Sequence, residues 1–396
     1  MRAFQSALLC LLLAVMPSCS PDVPDAESPA AHEGMPDAMD MPDVEGVVRV
    51  QNPAEGLWEH ADRPPIRFEP DGVFGGTGSH ITSIAGAVVD KNDSVYIYDA
   101  QLSELSAFSG EGGLLWRAGS PGAEADQFHG VRGITYDGNE TIWVVNQDGA
   151  RLDAWDLTGE HGASLDLDEL GVGKSFMGGF LPPDRIALLA DMVYATAANE
   201  YVVVRLGDDP EIEARFRIGA EPMTPIPPGV VMQLSHYFEN DKIYVGGWEN
   251  YALREYDSTG TMLLHVSREV DYLRRPGFAA RGDRYLGVSF GGLGAPIILQ
   301  SGHWLVLASW PTNIDDPNTF AELAATERPS IEWASSLDLF DPDGRFLYSV
   351  QSPGRQVPEI GRPWAVGPTG RLFTVSADPV PHVRRYRVVL EPPAGS

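Results

Sequence analysis

Histidine and arginine side chains precede several short apolar runs, where they could bind an anionic group. His129 and Arg132 come just before the apolar run that begins at Ile134. Further candidates in similar places are His236, Tyr237, Arg281 and Arg362. Imidazolium and guanidinium groups bind carboxylate and phosphate oxygens through charge-assisted hydrogen bonds. The alternative is that these side chains form ion pairs with the many acidic residues of the chain.

Sequence motifs for a catalytic or metal centre are absent. The chain contains no HExxH, EF-hand loop, P-loop or GxSxG pattern, the motifs that bind zinc, calcium or phosphate or present a nucleophilic serine. The acids of DKND (90–93) and DPDG (341–344) could bind calcium. Their spacing also suits turns in which Asp caps the backbone, and we favour that interpretation. We therefore predict no metal, no cofactor and no catalytic residue.

The charge balance argues against nucleic acid as a partner. Lys and Arg number 28 and Asp and Glu number 56, giving a formal net charge of −28. Such a surface repels phosphate backbones. The two cysteines, Cys10 and Cys19, both lie near the N-terminus, so the body of the chain has no thiol for a disulfide or a metal site.

The N-terminal residues have the pattern of an export signal. Residues 1–18 combine Arg2 with an apolar run too short to span a membrane, as in secretory signals. Met16-Pro17-Ser18-Cys19 resembles the lipobox of bacterial lipoproteins, which implies that Cys19 carries lipid. An ordinary cleaved signal is the alternative. We predict an exported cell-envelope lipoprotein, in the outer membrane or facing the periplasm, that meets the membrane only through this anchor.

Residues 19–46 are rich in proline and acids and lack aromatic residues. Such a segment cannot bury a core and is predicted to be a disordered tether. His32, Met35, Met39 and Met41 are ligand types that suit Cu(I). Duplication of an MPD unit in a low-complexity spacer explains the same residues, and we favour that explanation.

From residue 47 onward the chain repeats itself. At a constant shift of 47, Gly86, Asp90 and Asn92 align with Gly133, Asp137 and Asn139 without a gap. Later in the same pair, Leu105 aligns with Leu152 and Phe108 with Trp155. Further copies with diverged strands give a total of six units. A single sheet of this kind cannot bury both faces, so the units are expected to stack around an axis.

This pattern resembles NHL-repeat-like six-bladed β-propellers and, over nearly the whole chain after the signal, the bacterial six-bladed β-propeller lipoprotein family. The resemblance implies an all-β propeller of four-stranded antiparallel blades in which a strand at residues 47–51 completes the last blade. The expected blades are 70–119, 120–168, 169–218, 219–267, 268–350 with an insertion at 310–335, and 351–395.

The predicted function follows from the placement of these candidates. Inner strands and blade-entry loops surround one mouth of a propeller channel, where ligands usually bind. Trp310, Phe320 and Trp333 of the insertion could contact a partner. We predict a monomeric, non-catalytic binding or scaffold protein for an envelope protein or a small or peptidic ligand. The alternative is an envelope hydrolase or lyase, similar to lactonases or peptidylamidoglycolate lyases, with its site at the channel mouth.

Overall fold

The computed structural model of the protein is built almost entirely of β-strands. It describes residues 46–190, 199–218, 235–247, 251–273, 277–281, 284–288, 291–316, 319, 331–354, 360–377 and 379–393. The predicted signal, Cys19 and the predicted tether lie outside these residues. No helix among the described residues is long and apolar enough to cross a membrane.

Two strands precede the repeats, and three regular blades follow them. The first two strands are β1 (Val48–Asn52) and β2 (Ile66–Gly75). Blade 1 contains β3 (Gly86–Val89), β4 (Val95–Asp99), β5 (Glu104–Phe108) and β6 (Leu114–Ala118). Blade 2 contains β7 (Ile134–Tyr136), β8 (Thr141–Asn146), β9 (Arg151–Asp156) and β10 (His161–Asp166). Blade 3 contains β11 (Ser175–Leu181), β12 (Arg185–Ala190), β13 (Asn199–Arg205) and β14 (Glu211–Ile218).

The second half of the chain adds three more blades. Blade 4 contains β15 (Ser235–Glu239), β16 (Lys242–Gly246), β17 (Ala252–Asp257) and β18 (Met262–Arg268). A hairpin of β19 (Gly277–Arg281) and β20 (Arg284–Val288) precedes blade 5. Blade 5 contains β21 (Gly292–Leu293), β22 (Ile297–Ile298), β23 (Trp304–Pro311), β24 (Trp333–Phe340) and β25 (Phe346–Pro353). Blade 6 contains β26 (Arg362–Val366), β27 (Arg371–Ser376) and β28 (His382–Leu390).

The fold is a six-bladed β-propeller, as the repeats predict. Consecutive strands of each blade pair antiparallel, and the first strand of each blade lies innermost. Ile142, Val144, Leu152 and Trp155, which recur between units, are fully or almost fully buried. They pack against blade 1 or blade 3 in two separate clusters, so the core lies between blades and not within any one of them.

The strand that closes the ring differs from the expectation. The strand β1 pairs parallel with β18 and becomes a fifth strand of blade 4. The outer strand of blade 6 is β2, which pairs antiparallel with β28 from Ile66↔Leu390 to Gly75↔His382. The sequence of β2 contains Pro70 and Gly72, which weaken its strand pattern. Both are accommodated because β2 is an edge strand with a register shift between them.

The acids of the interstrand turns cap the backbone. Asp341 accepts hydrogen bonds from the N–H groups of Asp343 at 3.0 Å and Arg345 at 2.8 Å. Asp90 accepts from the N–H groups of Asn92 at 2.8 Å and Ser94 at 2.9 Å. Asp90 and Asp341, acids of the two segments that we considered as calcium ligands, thus accept hydrogen bonds from turn N–H groups, as in Asx turns.

A buried carboxylate organises the outer part of blade 5. Asp338 is fully buried and accepts hydrogen bonds from Tyr251 at 2.6 Å, Arg268 at 2.8 Å and Ser349 at 2.7 Å. The Arg268 side chain is 6% exposed, and its guanidinium lies 3.6 Å from the centroid of the Phe346 ring. Removal of the carboxylate would leave this guanidinium buried without its counter-ion.

We therefore predict that Asp338→Ala lowers the free energy of unfolding by about 3–5 kcal/mol. Urea titration followed by tryptophan fluorescence measures this loss. The matched control is Asp343→Ala, which removes one carboxylate partner of Arg345. The Asp343 side chain is 73% exposed. This surface pair is expected to contribute no more than about 1 kcal/mol. Equal losses in the two variants would contradict the importance of the buried pair.

Candidate functional site: the central channel

The inner strands of the blades enclose a channel of about 1100 Å³. All of these strands run in the same direction along it, because each blade repeats the same meander. The N–H of Met177 in β11 donates to the carbonyl of Arg132 at 3.0 Å, which aligns the beginnings of two neighbouring inner strands. We call the end where inner strands begin the entry mouth and the opposite end the exit mouth.

Glycine allows the inner strands to approach each other closely. Gly133 precedes β7 with φ of +127°, a region that L side chains rarely adopt. A Cβ atom there would lie 2.6 Å from Cβ of Met177 in blade 3. The equivalent position in blade 1 is Gly86, whose added Cβ would lie 3.0 Å from Cγ1 of Ile134. The repeated glycines therefore permit the packing that forms the channel wall.

Arg362 lines the channel at the entry mouth. It is the first residue of β26 and is exposed. Its guanidinium carbon lies 5.7 Å from the centroid of the Trp364 ring. The indole N–H of Trp364 donates to the carbonyl of Ala87 at 2.7 Å, which anchors blade 6 to blade 1. The structure thus places a guanidinium on the channel wall beside a fixed aromatic ring.

Arg132 lies at the same mouth, immediately before the wall residue Gly133. Its guanidinium carbon lies 4.7 Å above the Phe176 ring of blade 3, within the range of a cation–π contact. Arg132 thus lies at the entry mouth with its guanidinium directed toward blade 3, and it does not belong to the channel wall that contains Arg362.

His129 lies in the entry loop of blade 2, outside the channel wall. Its N–H donates to Oδ1 of Asn146 at 2.8 Å, so the buried last residue of β8 holds the loop. The imidazole is 61% exposed, and its Nδ1 lies 3.5 Å from Oδ2 of Asp148. His129 thus contributes to the rim of the entry face and not to the channel interior.

His236 and Tyr237 point in opposite directions, because successive side chains of a strand alternate. His236 packs between blades 3 and 4, edge-on to Tyr201 and Phe238 at ring-centroid distances of 6.2 and 5.5 Å. Burial lowers the pKa of His236 to about 4, although a hydrogen bond with the Met177 backbone opposes this shift. At neutral pH its imidazole is therefore uncharged and supports blade packing.

Tyr237 and Glu239 share the other face of β15, and both line the channel. The Tyr237 hydroxyl donates to Oε2 of Glu239 at 3.1 Å, and the ring packs against the same apolar cluster as Val366 of blade 6. Burial raises the pKa of Tyr237 and that of Glu239; the hydrogen bond from Tyr237 partly offsets the effect on Glu239. Glu239 is not among the residues predicted from the sequence, although the alternation of Ser235, Tyr237 and Glu239 indicates a shared face.

The insertion emerges on the entry face. The strands β23 and β24 that flank it continue beyond the regular blade, and Pro311 pairs with Trp333. The Trp310 ring stacks on Tyr272 at a centroid distance of 3.9 Å, which fixes the base of the insertion. Phe320 and the side chain of Arg281 lie outside the described residues. Within the described ranges, no group of three or more His, Cys, Asp or Glu side chains is arranged to hold a metal ion.

Solved structures share this architecture. A member of the DUF4221 family from Bacteroides vulgatus is 10% identical, with a TM-score of 0.52, and the match covers 82% of this chain and 99% of that chain. A candidate exported protein from Bacteroides fragilis is 9% identical, also with a TM-score of 0.52, and the match covers 87% of this chain and 100% of that chain. No protein-family model and no curated protein matches the sequence. At these identities the similarity establishes the propeller fold.

The buried His236 predicts a specific loss of stability in acid. Its pKa of about 4 in the folded state lies below the usual value of 6.5. The unfolded chain therefore binds a proton first, and stability falls as the pH drops from about 6.5 towards 4. His236→Phe keeps an aromatic ring and should remove about 2.5 kcal/mol of the loss between pH 7.5 and pH 4.5.

Urea titrations at pH 7.5 and pH 4.5 compare wild type with His236→Phe. The control is His60→Phe, because the His60 side chain is 87% exposed and has no role in blade packing. If the free energy of unfolding fell by the same amount between pH 7.5 and pH 4.5 in wild type and in His236→Phe, the pKa of His236 would not differ between the folded and unfolded states.

Proposed function

We propose that this protein is a binding protein whose propeller channel accepts a ligand with an anionic group, most simply a carboxylate, at the entry mouth. The observation that carries this proposal is the placement of Arg362 on the wall of a channel of about 1100 Å³. This volume lies near the upper end of those of small-molecule sites, and it suits a short peptide or a small organic acid.

Local charge supports an anionic ligand despite the acidic composition. The chain has a net charge of −28, so an anion experiences general repulsion. Arg362 lies on the channel wall at the entry mouth and Arg132 lies at the same mouth, and a guanidinium can bind a carboxylate through two parallel hydrogen bonds. The preference for an anionic ligand then comes from the arginines at the entry mouth and not from the overall electrostatic field of the protein.

The entry face also supports a role for the insertion. The strands β23 and β24, which flank the insertion and are fixed by the Trp310–Tyr272 stack, end and begin on the entry face, where Arg362 also lies. Loops much longer than their counterparts in a repeat commonly take part in binding. We propose that the insertion, with Trp310 and Trp333 at its base, contacts the bound ligand or a partner protein.

The proposed location is the bacterial cell envelope. The signal-like residues 1–18 and the lipobox-like residues around Cys19 support export and lipid attachment. The acidic residues 19–46 would then separate the propeller from the membrane surface. This placement suits a protein that captures a small or peptidic ligand outside the cytoplasm.

The ligand proposal predicts that N-acetyl-tetra-alanine binds the wild-type protein and that its C-terminal amide binds at least tenfold more weakly. Arg362→Ala should weaken N-acetyl-tetra-alanine binding to a similar extent, because the charge-assisted hydrogen bonds to the carboxylate are lost. Isothermal titration calorimetry at low and physiological salt measures both effects.

The control is Arg345→Ala, which removes a 60% exposed arginine from the turn between β24 and β25. It should leave peptide affinity within twofold of wild type. If the carboxylate and amide forms bind equally well, or if Arg362→Ala has no effect, the entry mouth does not recognise an anion.

The location proposal makes a separate prediction. Intact-mass analysis of the protein from a bacterial host with a lipoprotein pathway should show a chain that begins at Cys19 and carries acyl groups. Cys19→Ser should release the protein from the membrane fraction without changing the unfolding midpoint of the propeller. An unmodified N-terminus beyond Cys19 in the wild-type protein would contradict lipid attachment.

A further inference from the structure

The exit end of the channel carries a charged group of opposite sign to the entry mouth. Glu239 is the last residue of β15, whereas Arg362 is the first residue of β26. Because inner strands run in the same direction, the two side chains lie near opposite ends of the channel. Both residues belong to its wall. The channel is therefore electrically polar along its axis.

Among the described residues, no cationic side chain pairs with the carboxylate of Glu239. Its carboxylate accepts a hydrogen bond from Tyr237. The lysine opposite it in the hairpin, Lys242, is instead ion-paired to Glu255 at 2.6 Å. Desolvation raises the pKa of Glu239, and the hydrogen bond from Tyr237 opposes it; no cation of the described residues contributes. A half-buried carboxylate of this kind gains free energy when a ligand supplies the missing cation.

Tyr237 fixes the position of this carboxylate. Its hydroxyl donates to Glu239 in blade 4, and its ring packs against the apolar cluster formed by blades 5 and 6. The inner strand of blade 5 is interrupted between β21 and β22, where Pro296 has no N–H for the ladder. The packing of Tyr237 positions the hydroxyl that holds Glu239 at the exit end.

The wall between the two charges suits an extended chain. The strands β3, β7, β11, β15 and β26 are each the terminal strand of their sheet, so one backbone edge of each faces the channel and not a neighbouring ladder. Such edges can bind an extended peptide through main-chain hydrogen bonds. Gly178 and Gly179 also belong to this wall, and their lack of side chains lets the Phe238 ring pack closely, since Cβ atoms there would lie 2.9 and 2.6 Å from it.

The spacing sets the length of the ligand. An inner strand of five residues, such as β26 or β15, spans about 13 Å at roughly 3.3 Å per residue. An extended peptide of about four residues has the same separation between its termini. Its carboxylate and its ammonium group would reach the two ends of the channel together.

We propose that the channel binds a short peptide with free termini, with its carboxylate at Arg362 and its ammonium group at Glu239. This proposal rests on the proposed function, because it keeps the anion at the entry mouth. It adds a second recognition site at the exit end, and it specifies the ligand class and its orientation.

The experiment compares tetra-alanine with N-acetyl-tetra-alanine in wild type and in Glu239→Gln by isothermal titration calorimetry. In wild type, the free amino group should strengthen binding at least tenfold. In Glu239→Gln, the two peptides should bind with affinities within twofold of each other, because the carboxylate that distinguishes them is gone. Tyr237→Phe should reduce the difference between the peptides by an intermediate amount.

Glu140→Gln is the matched control, because Glu140 is an exposed acid in the turn between β7 and β8, on the exit face. It should preserve the preference for the free amino group. A preference that persists unchanged in Glu239→Gln, or wild-type affinities that are equal for the two peptides, would overturn the proposal. In either case, if Arg362→Ala still weakened the binding of N-acetyl-tetra-alanine, the separate proposal of an anion site at the entry mouth would stand.

Discussion

The pairing of β2 with β28 is the constraint on which the rest of the structure depends. It joins an N-terminal strand to the C-terminal strand in one sheet, and so closes a ring that would otherwise expose two blade faces. Asp71 in β2 reinforces the junction by accepting from Arg371 at 2.6 Å, and this hydrogen bond lowers the pKa of Asp71 despite opposing desolvation. Arg385 of β28 extends the junction to blade 1 by donating to the carbonyl of Gly110 at 2.9 Å.

Ring closure is what gives the channel fixed geometry. A sheet within one blade defines only which residues are neighbours along its ladders, whereas the distance between Arg362 and Glu239 depends on how the blades surround the axis. The hydrogen bond from Trp364 to Ala87 fixes blade 6 against blade 1, and Tyr237 of blade 4 packs against the apolar cluster of blades 5 and 6. The charged ends of the channel therefore belong to the closed ring and to no single repeat.

The fold could be predicted from the sequence because every repeat unit has apolar residues at the positions that a blade buries. Leu152 and Trp155 recur at fixed spacing since each blade buries the same positions, and all are buried as expected. The closing strand was mispredicted because Val48–Asn52 has a clear strand composition, whereas β2 contains Pro70 and Gly72. Glu239 was missed for a different reason: a sequence shows that Tyr237 and Glu239 share a face, but only the assembled ring shows that this face meets the channel.

The strand β15 places its alternate side chains in two different surroundings. Its even-numbered side chains, His236 and Phe238, pack against Tyr201 in blade 3, where desolvation keeps the imidazole neutral. Its odd-numbered side chains, Tyr237 and Glu239, line the channel. Because the period of a strand is two residues, a shift of one residue would exchange these roles and bury the carboxylate between blades. The register of β15 against β16, with Glu239 opposite Lys242, thus determines whether the channel has an acidic end.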